Sequence, residues 1–179
     1  MRGGSGRDLD TKIKVLDSTA LFIGFTEGGK TELVTCREVL EEVKYGGGQL
    51  RAAAIRGGGL VKILEPGHDY VERVRESALK AGEYDLSETD IKLLALALQL
   101  LDEGADVSIV TSDYSIQNLA EIMGLKVEPI LHKGIKRVIK WTTYCEICGW
   151  RGEAEPGTPC PRCGARLKRR PSEEVSEKS

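Results

Sequence analysis

The sequence is short of the groups that several kinds of chemistry require. It has only two histidines, His68 and His132, both beside loop residues, so a nuclease site built on paired imidazoles is not expected. Asn and Gln together number four against abundant Lys and Glu, a bias of hyperthermophile proteins. No run approaches the ~20 apolar residues of a membrane span, and the N-terminus lacks the apolar core of a secretory signal. A cytoplasmic protein with no membrane partner is therefore expected, and disulfides are not the expected use of its five cysteines.

A chain of 179 residues bounds one full domain and a small appendage. The opening MRGGSGRDLD is polar and Gly-rich, so residues 1–11 are expected to be disordered. The net charge of −2 conceals an asymmetry. Residues 1–130 carry 15 basic and 22 acidic side chains, whereas residues 131–170 carry 10 basic and 3 acidic. A basic module on an acidic body suits a polyanion, with the acids serving another purpose.

Lys12 to Ala20, KIKVLDSTA, organises the chain. A β-type apolar run, Ile13 to Leu16, ends in Asp17 just where a helix begins. In open parallel sheets the crevice outside the strand ends is the usual site. Val107 to Thr111 repeats the grammar, ending in Ser112 and Asp113 before a helix from Ser115 to Met123. A final strand is expected over Lys126 to Ile130. Strands alternating with helices indicate an α/β domain with a parallel sheet.

Between these stretches, Gly24 to Thr31 matches the phosphate-loop pattern letter for letter, but it does not follow its strand directly and leads into Glu32–Thr35, which reads as extended. A Gly-rich turn is the better reading. Cys36 to Lys44 is amphipathic, with Cys36 in the apolar stripe. On that helix Glu42 flanks the stripe and is the acid expected to be half-buried, with Glu38 and Glu41 farther round. Residues 46–59 place two triple-Gly hinges around Arg51 and Arg56 and read as a flexible connection. A strand over Val61 to Leu64 and a surface helix from Asp69 to Ala81 follow. Leu86 to Gly104 is apolar on nearly every face and should be a buried helix, capped by Ser87 with Asp90 three residues on.

The basic bridge Lys133 to Lys140 leads to Cys145-x-x-Cys148 and Cys160-x-x-Cys163, each pair followed by Gly. Two such pairs without a secretory signal indicate one tetrahedral Cys₄ zinc site of structural type. Rubredoxin-type iron binding has a longer spacer and a more aromatic core. The division expected is a disordered segment over 1–11, an α/β domain over 12–130, a basic linker over 131–140, a small β-rich ribbon over 141–168 and a disordered tail over 169–179.

Asp17, Glu42, Asp90 and Asp113 could converge. Each has a plainer explanation as a cap or a solvated edge. Unpaired carboxylates in one crevice repel and shift upward in pKa unless a cation neutralises them, and such oxygen ligands suit Mg²⁺ or Mn²⁺. IKVLDSTALFI, the helix with Glu42, LSETD and VTSDYSIQN resemble the four acidic motifs of PIN-domain ribonucleases. The Cys₄ ribbon after a basic bridge is similar to the Nob-type branch in its archaeal form, which trims the 3′ end of small-subunit ribosomal RNA. Asp-Ser-Thr stands here where PIN proteins often have Asp-Thr-Ser.

That resemblance implies a PIN-like nuclease domain in which Asp17, Glu42, Asp90 and Asp113 are catalytic and hold Mg²⁺ or Mn²⁺. Ser18, Thr19, Thr111 and Ser112 would orient carboxylates or water. It implies RNA phosphodiester hydrolysis by in-line attack of metal-activated water, leaving 3′-hydroxyl and 5′-phosphate ends. The RNA would be gripped by Lys136, Arg137, Lys140, Arg151, Arg162 and Arg166. Trp150 would either stack on RNA or pack inside the ribbon. Implied partners are precursor small-subunit rRNA, the pre-small-subunit particle and its assembly factors. The rivals are a PIN toxin-like RNase acting on tRNA or mRNA and a non-catalytic RNA-binding assembly factor. A Walker-type NTPase lacks the context, and a haloacid-dehalogenase-like phosphatase lacks its second Asp, because Thr19 stands there.

Overall fold

The computed structural model describes residues 11–46 and 58–177, with side chains as far as Ser172. The expectations for residues 1–10, for the Arg51 and Arg56 segment and for residues 178–179 fall outside the described residues.

Five strands, β1 (Lys12–Leu16), β2 (Thr31–Thr35), β3 (Val61–Ile63), β4 (Asp106–Thr111) and β5 (Lys126–Pro129), form one parallel sheet in the order β3-β2-β1-β4-β5. The helices are α1 (Ser18–Ile23), α2 (Arg37–Tyr45), α3 (His68–Ala81), α4 (Glu88–Asp102) and α5 (Tyr114–Ile122). Successive strands run outward from β1 on one side to β3, and the chain then returns to place β4 on the other side of β1. The strand order therefore reverses between β1 and β4, and the crevice at their carboxyl ends is where such sheets place a site. Register sets Leu16 opposite Val110, so Asp17 and the Thr111–Asp113 turn emerge side by side.

The core follows the apolar pattern. Ile13, Val15, Leu16, Val34, Ile109 and Val110 are buried on the strands. Helix α4 is buried at Ile91, at every position from Leu93 to Leu98 and at Leu100, as expected of a helix packed on more than one side. Lys14, central in β1 and only 7% exposed, is ion-paired with both Glu27 and Glu128. The phosphate-loop match is a turn. Gly24 ends α1 in the left-handed conformation at φ 71°, and Thr31 opens a strand, not a helix.

Beyond β5 the expectation needs correction. Strands β6 (Arg137–Tyr144), β7 (Arg151–Gly152) and β8 (Lys168–Glu177) form an antiparallel sheet in the order β7-β6-β8. The expected linker over 131–140 thus ends in a strand, and most of the expected disordered tail is the partner of that strand. Two amide side chains of α5 explain the first difference. Gln117 Oε1 accepts from Ile135 N at 2.9 Å. Asn118 Oδ1 accepts from Ile139 N at 2.8 Å, and its Nδ2 donates to Ile139 O at 2.7 Å, as a neighbouring strand would. The second difference follows from pairing and stacking. Trp141 to Tyr144 pair with Pro171 to Lys168, and Arg169 and Arg170 lie over Trp141 and Tyr144, with 4.5 and 5.0 Å between guanidinium carbon and ring centroid.

β6 also docks on the main domain at Gly82. A Cβ there would sit 2.6 Å from Trp141 O, and φ is +71°, so close approach and backbone conformation both call for glycine. Beside it, Glu83 Oε1 accepts from Asn118 Nδ2 at 2.6 Å and from Trp141 Nε1 at 3.2 Å.

Candidate active site

Asp17 is delivered by the end of β1 and caps α1. Its Oδ1 accepts from Ala20 N at 2.7 Å, and its Oδ2 from the Thr111 hydroxyl at 2.5 Å. It is 5% exposed. Thr111, buried at the end of β4, also accepts Asp113 N at 3.0 Å, so one hydroxyl ties two of the acids together. Asp113 caps α5, accepting from Ser115 N at 2.7 Å and Ile116 N at 3.1 Å. Asp90 and Ser87 form the reciprocal capping box of α4, with Ser87 N donating to Asp90 Oδ2 at 2.8 Å. The capping explanation for these acids is thus correct, and it does not compete with a shared site, because a cap fixes a carboxylate at a helix end that faces the crevice.

Asp17, Glu42, Asp90 and Asp113 line one cavity of about 210 Å³ together with Ser18, Thr19, Thr89 and Ser112. Among the described residues, no Lys or Arg lines it. Burial pushes the Asp17 carboxyl up, against the Thr111 hydroxyl and the Ala20 and Ser112 amides, and the Asp113 charge adds to the rise. Burial likewise pushes Asp90 up against Ser87, again with Asp113 adding. Among the described residues, no cationic side chain lining the cavity offsets the charge these carboxylates carry when ionised.

The burial expected for Glu42 is wrong, because its side chain is exposed. It stands at the cavity nonetheless, while its neighbours are engaged elsewhere. Glu38 is ion-paired with Lys92. Burial opposes ionisation there, but that partner holds its carboxyl below the usual range. Glu41 lies 3.5 Å from Lys44. Of the hydroxyl residues expected near the acids, Ser112 Oγ donates to Thr19 Oγ1 at 3.2 Å across the crevice floor.

Among the described residues, one group of three or more potential metal ligands closes within 4.8 Å, namely Cys145, Cys148, Cys160 and Cys163. Cys145 and Cys163 Sγ are 3.5 Å apart, and Cys148 and Cys160 Sγ 3.6 Å. A tetrahedron on ~2.3 Å Zn–S bonds has edges of about 3.8 Å, whereas a disulfide needs about 2.05 Å. The Cys148 and Ile147 amides pull the Cys145 thiol down, whereas, against the Ala165 amide, the neighbouring cysteines push the Cys163 thiol up, as crowded sulfurs do where no cation offsets their charge. The carboxylates do not close in this way. They ring a wider opening, which suits a hydrated hard cation that keeps several of its waters.

The basic residues divide. Lys136, Arg137, Lys140, Arg151, Arg162 and Arg166 are all exposed. Lys140 and Arg151 line a groove of about 470 Å³ with Lys80, Trp141, Thr142, Arg170 and Ser172. Arg162 instead reaches back to Cys148 O at 3.4 Å. Sequence reasoning missed Lys80, in the last turn of α3, and Arg170, hidden in the stretch expected to be a tail. Trp150 packs against the cysteine cluster and lies 2.7 Å from where a Cβ on Gly152 would sit, so it serves the ribbon core. Cys36 is fully buried in the main core as the residue capping α2. His68 is exposed at the start of α3. His132 is exposed but engaged, with Nε2 2.7 Å from Ser112 O and its ring stacked on Tyr114.

Comparison with known proteins gives consistent results. A family model described as the PIN domain of ribonuclease matches residues 15–100. Endoribonuclease Nob1 of Pyrococcus abyssi is 38% identical over 88% of this chain and 93% of that protein. Endoribonuclease Nob1 of Archaeoglobus fulgidus is 36% identical over 86% and 88%. Ribonuclease VapC1 of Thermoplasma acidophilum is 34% identical over 88% and 77%.

Proposed function

The chain belongs to the PIN-domain ribonucleases, in the family of the Nob1 endoribonucleases, and we propose that it hydrolyses precursor small-subunit rRNA to mature its 3′ end within the pre-small-subunit particle. The observation that carries the reading is the convergence of Asp17, Glu42, Asp90 and Asp113 on one cavity at the β1–β4 switch point. These four residues would hold Mg²⁺ or Mn²⁺. When bound, such ions supply positive charge that activates water and offsets charge developing on a phosphodiester. Cys145, Cys148, Cys160 and Cys163 would hold one structural Zn²⁺, which fastens the two cysteine turns together.

The chain's own groups do the positioning. Asp17 is fixed by the Ala20 amide and the Thr111 hydroxyl, so its free lone pairs face the cavity in one orientation. Asp90 and Asp113 are fixed by the helix ends they cap. Ser18, Thr19 and Ser112 line the same space and orient water or carboxylate oxygens. Water oxygen attacks phosphorus in line with the 3′ oxygen. The P–O3′ bond breaks, the leaving oxygen takes up a proton, and 3′-hydroxyl and 5′-phosphate ends result. Lys80, Lys140, Arg151 and Arg170 draw the RNA backbone to the ribbon side. Residues 12–130 act as the nuclease unit and the ribbon as the RNA-gripping unit, in the cytoplasm with assembly factors as partners.

The VapC1 relative keeps a second reading in view, an RNase acting on tRNA or mRNA. Incubating the protein and Mn²⁺ with precursor small-subunit rRNA, tRNA and mRNA in parallel, with end mapping, separates the two. One cut at the rRNA 3′ end is expected. Preferential cutting of tRNA or mRNA overturns the rRNA assignment.

A further inference from the structure

We propose that Tyr114, backed by His132, is a nucleobase-stacking subsite for single-stranded RNA at the rim of the acidic cavity. The proposal rests on the ribonuclease reading above and adds where the substrate is held. Tyr114 directly follows Asp113, so its Cα lies about 3.8 Å from that of a cavity carboxylate. Its side chain remains 55% exposed even though the His132 ring covers one face, with centroids 4.6 Å apart and planes at 25°. Tyr114 is not among the side chains packed into the main core, which leaves its exposed surface available to a base.

The support behind that face is built. His132 Nε2 lies 2.7 Å from Ser112 O, and Nδ1 3.2 Å from Lys133 O. Leu131, immediately before it, has φ 66°, the one positive φ at a non-glycine among the described residues. Such a backbone is unfavourable for leucine, and a side chain 71% exposed gains nothing from burial there. The contorted turn has one evident result, which is to swing His132 over the Ser112 carbonyl and against Tyr114.

Charge makes a stacking contact useful at this place. Without its ions the acidic cavity repels the RNA backbone, and the cationic groove lies elsewhere, between α3 and the β6–β8 sheet. Groups whose attraction does not depend on phosphate charge therefore add affinity next to the cut whether or not ions are bound. An aromatic face does this for any base, and proteins that recognise single-stranded RNA commonly use stacked bases. A pre-stacked ring pair also adds a third ring without first ordering a mobile side chain.

The test uses the zinc-loaded full chain and a short single-stranded RNA carrying 2-aminopurine at each position in turn, without added Mg²⁺ or Mn²⁺. Wild type is expected to quench the probe strongly at one or two adjacent positions. Tyr114→Phe should retain the quenching. Tyr114→Ala should lose it and bind roughly 5- to 160-fold more weakly, the scale of one lost base–aromatic stack, and His132→Ala should fall between. No position-specific quenching in wild type, or Tyr114→Ala within twofold of wild type with its quenching intact, overturns the proposal. So does Tyr114→Phe falling with Tyr114→Ala, since that assigns the effect to the hydroxyl or the fold. The readout is binding, so it stands apart from the nuclease reading, which fails instead if Asp17→Asn cleaves like wild type.

Discussion

Replacing Asn118 by alanine removes the clamp that makes strand β6 part of the main body. The amide serves three partners: Ile139 N at 2.8 Å, Ile139 O at 2.7 Å and Glu83 Oε1 at 2.6 Å. Each buried group left without a partner costs ~1–3 kcal/mol. Ile139 is half-buried, and Glu83 keeps Trp141 Nε1, so the lower end applies to each. The three together give about 3 kcal/mol. For a chain of this size 1 kcal/mol shifts the melting temperature by about 2–4 °C, so a fall of about 6–12 °C is expected. Circular dichroism melts of the zinc-loaded protein measure the shift, and tryptophan emission reports the release of Trp141. Asn118→Asp places a carboxylate against Ile139 O and Glu83. It should be at least as destabilised at neutral pH and recover as acidification protonates that carboxyl. A melting shift below about 3 °C with unchanged emission would refute the clamp and return residues 131–140 to the status of a linker.

Ion binding should depend on pH with a definite sign. Burial pushes the carboxyls of Asp17 and Asp90 up in the folded chain, so in the ion-free protein the stability these two groups contribute is fully present only below the ordinary carboxylate range, near 4. It loses that stability as pH rises through the raised folded values. Added Mn²⁺ should therefore raise the melting temperature at neutral pH and do so progressively less on acidification, and equal stabilisation at all pH values would contradict this. Cys148→Ser should reduce bound zinc from about one per chain to nearly none by elemental analysis and weaken RNA binding, and full zinc retention would reject the tetrahedral site. Gly82→Ala should lower the melting temperature by several degrees because its Cβ meets the Trp141 carbonyl at 2.6 Å, and an unchanged melt would count against that contact. Arg170→Ala should reduce the slope of log affinity for RNA against log salt by about 1, and an unchanged slope would remove it from the phosphate-binding groove.

Local grammar made the main sheet legible. Ile13–Leu16 followed by Asp17, and Val107–Thr111 followed by Asp113, carry β-type runs into capping acids, and register then makes neighbours of residues 94 apart. Asp90 was legible through its capping box for the same reason. Glu42 lines the cavity, but the half-burial for which it was singled out is absent, because its side chain is exposed. Helical periodicity reports which face an acid occupies, and it does not show that the neighbouring elements leave that face open. The clamp was not legible at all. Gln117 and Asn118 on a helix interior ordinarily read as surface polar residues. Their partners are backbone groups 18 and 21 positions later, and no periodicity encodes such a pairing. The pair Arg169-Arg170 looked like the start of a charged tail because its strand partners, Thr143 and Thr142, lie more than twenty residues earlier.

The central claim is that Asp17 helps hold the ions that cut RNA, and Asp17→Asn tests it most directly. The change is nearly isosteric. Asparagine also caps helices, and its Oδ1 can still accept from Ala20 N, so the fold should be kept. Single-turnover cleavage of precursor small-subunit RNA with saturating Mn²⁺ is the measurement, beside RNA affinity and melting temperature. Cleavage slowed by at least about 100-fold, the scale of losing a catalytic electrostatic contact, is predicted, with RNA affinity and the ion-free melting temperature little changed. A variant that cleaves as fast as wild type, at the same site and with the same Mn²⁺ dependence, would contradict it.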